Sequence, residues 1–176
     1  GDYYKPTDAD YEANCEEARA LLAEAGYENG EGFPVVEYLY NTSDAHKAVA
    51  EALQYMWEEE LGVKVTLNNQ EWAAFLQTRK DGDYSIARNG WIADYNDPIS
   101  FLDMWMTGGG NNDAQYENEE YDSLIKEAKT TTDVKERMEL LHKAEDKIIG
   151  EDNALAPLYF YTQKYMLADG IEGLYY

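Results

Sequence analysis

The chain has 176 residues, 44% of them apolar, with 14 basic and 36 acidic side chains for a formal net charge of −22. That length suits one compact domain or two small lobes and can bury about 70% of the unfolded surface. The charge excludes nucleic acid as a partner and disfavours an anionic membrane, and no apolar stretch reaches the roughly 18 residues that would mark a membrane span.

The chain opens Gly1-Asp2-Tyr3-Tyr4, without Met and without a signal peptide, as expected of a piece excised from something longer. Asp8-Ala9-Asp10 caps a helix predicted to run to Ala25, with Ala18, Leu21, Leu22 and Ala25 on one face and Gly26 as its stop. Cys15, the single cysteine, falls on that helix and reads as a small buried hydrophobe; no disulfide framework is possible. Glu28 to Gly32 is a turn. Val35 to Tyr40 follows as an internal strand, apolar on both sides.

Thr42, Ser43 and Asp44 can each cap the next helix, whose Ala45, Ala48, Val49, Ala52, Leu53 and Met56 recur at helical spacing up to Glu60. Leu61-Gly62 ends it, and Val63 to Leu67 alternates as a strand. Strand, helix and strand make a βαβ unit with a right-handed crossover. A short helix over Glu71 to Lys80 and a buried strand over Tyr84 to Ala87 complete an α/β middle section.

Next comes Arg88-Asn89-Gly90-Trp91-Ile92-Ala93-Asp94-Tyr95-Asn96-Asp97-Pro98, at or just past a strand end, where open α/β sheets place ligands. A cation, a large aromatic and a carboxylate within seven residues make a poor core. Two readings fit these residues: a surface loop with an Arg88–Asp94 pair and one buried Trp, or a binding site. Pro98 and Ser100 open a helix over Ile99 to Met106. Gly108 to Asp113 is a flexible loop without phosphate-loop spacing. Helices follow over Asn118 to Ala128 and Asp133 to Ile149, the second with Val134, Met138, Leu141 and Ile148 on its apolar face. Ala156 to Tyr161 reads as a strand, and Gln163 to Leu167 as a further one.

Little here suits catalysis or metal binding. The only histidines are His46 and His142, the latter on the polar side of its helix, and there is no GxSxG. Asp94-x-Asn96 starts like a calcium loop, but Pro98 takes the next ligand position and no Gly or distal Glu follows at the right offset. Sixteen Tyr and four Trp supply side chains that pack as hydrophobes yet offer polar tips, suited equally to a polar cleft and to a wet core edge.

From Tyr40 to Tyr161 the sequence resembles the C-terminal lobe of the oligopeptide-binding proteins that feed ABC importers, within the extracytoplasmic family that also takes dipeptides. The resemblance lies in Tyr40 to Lys47, Leu61 to Val65, Asn69-Gln70-Glu71-Trp72, Phe75 to Arg79, Ala87 to Pro98, Asn111-Asn112, Lys143-Ala144-Glu145 and Ala156 to Tyr161. Gly90-Trp91-Ile92-Ala93-Asp94-Tyr95-Asn96, followed by Pro98, is its sharpest piece, with Ile92 where some relatives carry Cys.

This resemblance implies that residues 1–176 form a single α/β lobe, a βαβ-containing sheet flanked by helices, from a two-lobed periplasmic-binding-protein-like receptor. It implies an extended oligopeptide as ligand, held by its main chain and charged ends between the lobes. Asp94 is then expected to hold the peptide's α-ammonium, and the backbone at Gly90 and Ile92, beside Trp91, to pair with its main chain. Arg88, Arg79 and His46 are expected near the ligand carboxylate, and Asn41, Trp72 and Tyr161 along the cleft. The resemblance further implies an ABC permease as partner, an extracytoplasmic location (periplasmic or lipid-anchored at the cell surface), no cofactor, no metal and no catalysis. Competing readings are a family member for nickel, haem or a sugar, an acidic carbohydrate-processing enzyme, and a Tyr-rich surface that binds another protein.

Overall fold

The computed structural model of the chain describes residues 8–162, 164, 166–171 and 173. Helix α1 (Asp8–Glu24) leads through a short turn to strand β1 (Val36–Asn41), helix α2 (Asp44–Leu61) and strand β2 (Val65–Gln70). Helix α3 (Trp72–Asp81) then returns the chain to a two-residue strand, β3 (Ile86–Ala87). The three strands are parallel in the order β2-β1-β3.

The middle strand owes its place to its sequence. Tyr38, Leu39, Tyr40 and Asn41 are all buried, as a strand covered on both faces must be. Tyr38 and Tyr40 share one face and join a core with Ala50, Val63 and Val65, against which Leu22, Phe33, Leu53, Trp57 and Leu61 pack. Leu39 points the other way and is fully buried, as is Phe75 of α3, which lies against β1. Helix α2 ends where Gly62 takes a left-handed φ of 67°. A Cβ at Gly62 would stand 2.2 Å from the Asn29 carbonyl oxygen, so only glycine lets the turn after α1 close on the end of α2.

Past residue 98 a second core forms. A single-turn helix α4 (Ile99–Leu102) runs into a tighter turn over Asp103–Trp105, followed by helices α5 (Glu119–Thr130) and α6 (Val134–Glu145). The two long helices form a hairpin whose facing residues Tyr121, Ile125, Ala128, Leu141 and Ala144 are buried with Ile99, Met104, Trp105 and Ile148. Helix α6 widens into a π-type turn, Asp146–Glu151, which keeps Ile148 fully buried.

Several sequence expectations shift. The buried strand expected over Tyr84 to Ala87 shortens to two residues, and Ile86 is partly exposed because β3 is an edge with one neighbour. The second strand runs from Val65 to Gln70 rather than from Val63, and the helix expected to reach Met106 loses its α character after Leu102. Leu21 and Val134, placed on apolar faces by periodicity, are exposed. Ala156 to Tyr161 pairs with no strand among the described residues, and all six residues are exposed. Gln163 and Tyr165, part of the further strand expected there, lie outside the described residues.

Candidate functional site

Parallel pairing aligns the carboxyl ends of the strands, and the sequence loads those ends with polar side chains. Asn41 and Gln70 are register partners at the last rung of β1 and β2, and Arg88 directly follows β3. The chain leaves β1 through α2 toward β2 on one side and later returns through α3 to β3 on the other. This reversal makes the strand ends a topological switch point, the place where open α/β sheets take ligands.

Four polar groups meet at the carboxyl ends of β1 and β3. The Arg88 backbone N–H donates to the Leu39 carbonyl at 2.8 Å, extending the pairing by one bond. Its guanidinium donates to Asn41 Oδ1 at 3.2 Å and to the Tyr161 hydroxyl at 2.5 Å. His46, in the first turn of α2, places Nδ1 3.3 Å from the Asn41 carbonyl oxygen. Burial, and then the charge of Arg88, lowers the His46 pKa below the ordinary histidine range, so this ring is neutral at neutral pH. It can offer a hydrogen bond to a ligand carboxylate there but no full positive charge. Arg88 forms no ion pair with a carboxylate among the described residues; its partners are a neutral amide and a phenol.

Gly90 owes its identity to space rather than to backbone angle. A Cβ there would lie 2.8 Å from Arg88 Nη2 and 3.4 Å from Tyr161 Cε2. The missing side chain lets the guanidinium fold back over its own loop to reach Tyr161, whose ring meets Tyr159 edge-on with centroids 5.2 Å apart.

Arg79 is arranged differently. Its Nε donates to Asp113 Oδ2 at 2.7 Å, with the two side chains only 13% and 15% exposed, and its Nη1 donates to Asn89 Oδ1 at 3.0 Å. Its guanidinium also sits 5.1 Å over the Phe75 ring. The charge is therefore neutralised within the chain, and Arg79 braces the loop: Asn89 Oδ1 also accepts from the Gly90 N–H at 2.7 Å. Trp72, at the start of α3, stacks on Phe75 at 5.8 Å and is 53% exposed, an open aromatic platform rather than core.

Beyond Gly90 the loop crosses to the second core. Trp91 packs against that core, and its Nε1 is buried without a hydrogen-bond partner among the described residues, as is Gln70 Oε1. Ile92 is 76% exposed, so it contributes backbone rather than a packed side chain. Asp94 is exposed. Its backbone N–H donates to Ser100 Oγ at 3.0 Å, and its carboxylate has no partner among the described residues, so the Arg88–Asp94 pair does not form. The site thus offers one guanidinium free of carboxylates and one carboxylate free of cations, on a rim that also presents Trp72, Ile92 and Tyr161.

Sequence reading missed Asp113, Asn89, Gln70 and Tyr159 around this site. Gln70, Asn89 and Tyr159 had a readable signal, since each lies in a segment that carries the resemblance. Asp113 joins Arg79 across 34 positions of chain, a pairing that no local pattern reports.

Comparison with known proteins shows the family. The family model for bacterial extracellular solute-binding proteins, family 5 (middle), matches residues 1–113. The oligopeptide-binding protein OppA of Bacillus subtilis is 40% identical over 98% of this chain, and the periplasmic oligopeptide-binding protein OppA of Salmonella typhimurium is 42% identical over 90%. The chain spans 31% and 29% of those two proteins. The crystal structure of Haemophilus influenzae OppA in complex with the peptide RPPGFSPFR superposes with a TM-score of 0.77 at 39% identity, covering 84% of this chain and 29% of that one. The chain belongs to the bacterial extracellular solute-binding proteins of family 5.

Proposed function

We propose that the chain is one lobe, the C-terminal one, of a two-lobed extracytoplasmic receptor that captures extended oligopeptides for an ABC importer. Relatives named for oligopeptide binding, and one solved with a nonapeptide in place, support a peptide as the ligand class. The receptor works periplasmically or lipid-anchored at the cell surface, hands its ligand to a membrane permease, and cleaves nothing. No described helix is long and apolar enough to cross a membrane.

The observation that carries the reading is the separation of unpaired charges. Among the described residues the Asp94 carboxylate has no partner and the Arg88 guanidinium bonds only to neutral groups, in a chain of net charge −22. Free termini of a peptide are one ammonium and one carboxylate, and each would find its complement here. In this reading Asp94 takes the α-ammonium, and Arg88, aided by His46, faces the carboxylate end. The backbone at Gly90 and Ile92 pairs with the peptide main chain beside Trp91. Asn41, Trp72 and Tyr161 line the cleft, and Arg79 braces it from behind.

Burying an ammonium without a partner costs several kcal/mol, and a charge-assisted hydrogen bond offsets about 1.5–3 kcal/mol of that. In the full-length protein Asp94→Ala is expected to weaken free-amine peptides by at least about 2 kcal/mol, near thirtyfold at roughly 1.4 kcal/mol per decade. N-acetylated peptides should bind poorly from the start and lose little more. Calorimetry with matched peptide pairs checks this; an equal loss for both would remove Asp94 from the anchor role.

A further inference from the structure

The loop that carries Asp94 is tied, at its far end, to a helix hairpin some forty positions later in the chain. Arg137, in the first turn of α6, donates from Nη2 to Asp97 Oδ1 at 2.8 Å and from Nε to the Ala128 carbonyl of α5 at 3.2 Å. The same Asp97 oxygen accepts the Ile99 N–H at 2.9 Å, and the Asp97 carbonyl accepts the Ser100 N–H at 3.1 Å. Asp97 therefore caps α4, and Arg137 holds the cap. Arg137 and the Ile99 N–H also keep the Asp97 carboxyl below its ordinary pKa, so the cap stays ionised. Ser100, buried at the start of α4, then accepts the Asp94 N–H at 3.0 Å.

A helix of one turn cannot hold its own direction, because nucleation costs more than its few bonds return. The direction of α4 is set by what grips its ends, and Arg137 grips the end nearest Asp94. We propose that Arg137 is a positioning residue for the Asp94 carboxylate, acting through Asp97 and Ser100. The inference rests on the reading of Asp94 as the ammonium anchor. Arginine is suited to the task because Nε and Nη2, held in a fixed fork, serve the hairpin and the loop at once, whereas lysine presents all its donors from one nitrogen on a flexible stem. A partly exposed ion pair contributes little to stability, so its loss should appear in ligand geometry before it appears in melting.

The test uses the full-length protein, with tetra-alanine and N-acetyl-tetra-alanine as probes in calorimetry. Arg137→Gln is expected to weaken tetra-alanine about tenfold and to leave the acetylated peptide unchanged. Arg137→Lys should recover part of the loss, and Ser100→Ala, a smaller change that keeps the loop folded, should show the same selectivity. In an Asp94→Ala background Arg137→Gln should cost nothing further. Equal losses for both probes from Arg137→Gln and Ser100→Ala, or no loss for either, while Asp94→Ala still discriminates, overturns the positioning role alone. If Asp94→Ala itself fails to discriminate, the anchor reading falls and this inference falls with it. Should Arg137→Gln not fold, Ser100→Ala and Arg137→Lys decide the matter by the same comparison.

Discussion

At the scale of single residues, the site depends on what each charged group already touches. Arg79 and Arg88 look alike in the sequence, nine positions apart and flanking the same strand, yet one is neutralised by Asp113 and the other meets only Asn41 and Tyr161. Gly90 makes the second arrangement possible, which gives a sharp expectation. Gly90→Ala puts a methyl 2.8 Å from the tip of a flexible arginine side chain rather than from backbone. The guanidinium should swing away at small cost, leaving the melting temperature almost unchanged while the affinity of the full-length protein for peptides with a free carboxylate falls. Scanning calorimetry beside titration calorimetry separates the two; a large drop in melting temperature with intact affinity would show that Gly90 serves the fold. The loop itself was legible, because Gly, Trp, Asp and Pro at that spacing carry a family resemblance. What each side chain pairs with was not, since Asp113, Tyr161 and Arg137 arrive from distant parts of the chain.

Among elements, helix starts read correctly and edges read poorly. Asn118 was expected to begin a helix, and its Oδ1 accepts from the backbone N–H groups of Glu120 at 2.9 Å and Tyr121 at 3.0 Å. Its Nδ2 also donates to Asp152 Oδ2 at 2.7 Å, tying α5 to the turn after α6. Asn118→Ala should therefore lower stability by about 1–2 kcal/mol, more than a cap on a lone helix, as read from denaturant midpoints. A change within about 0.5 kcal/mol, the range of an ordinary surface substitution, would mean that neither bond matters. The strand expected over Ala156 to Tyr161 illustrates the opposite case. An alternating apolar and aromatic run satisfies the pattern for a strand, but pairing needs a free neighbouring edge, and no local pattern says whether one is supplied. Likewise Val134 and Leu21 keep helical spacing, yet only the placement of a neighbouring element decides whether an apolar position is covered.

At the scale of the whole molecule, the described residues form two hydrophobic cores, one around the sheet and one around the helix hairpin, joined by the marked loop. Polar ties also bridge them: Arg79 with Asp113, the Tyr84 hydroxyl donating to the Asp113 carbonyl at 2.8 Å, and Arg88 with Tyr161. These cross-links should make the isolated chain melt in one transition, with near- and far-ultraviolet dichroism coincident. Two separated transitions would show that the cores fold independently. The α/β class and the order of its elements were readable because a βαβ unit has a local signature; the division into two cores was not, because it depends on which faces meet. One consequence concerns how such a receptor can change over generations. Asn41, Gln70 and Arg88 lie at or just past the last paired rung, and Trp72 and Ile92 project from the rim, whereas Tyr38, Leu39 and Tyr40 carry the packing one step behind. If the ligand meets this rim, as proposed above, its preference can drift by substitution there while the apolar layer stays untouched, so that new diets arise on an old scaffold without a passage through unfolded intermediates.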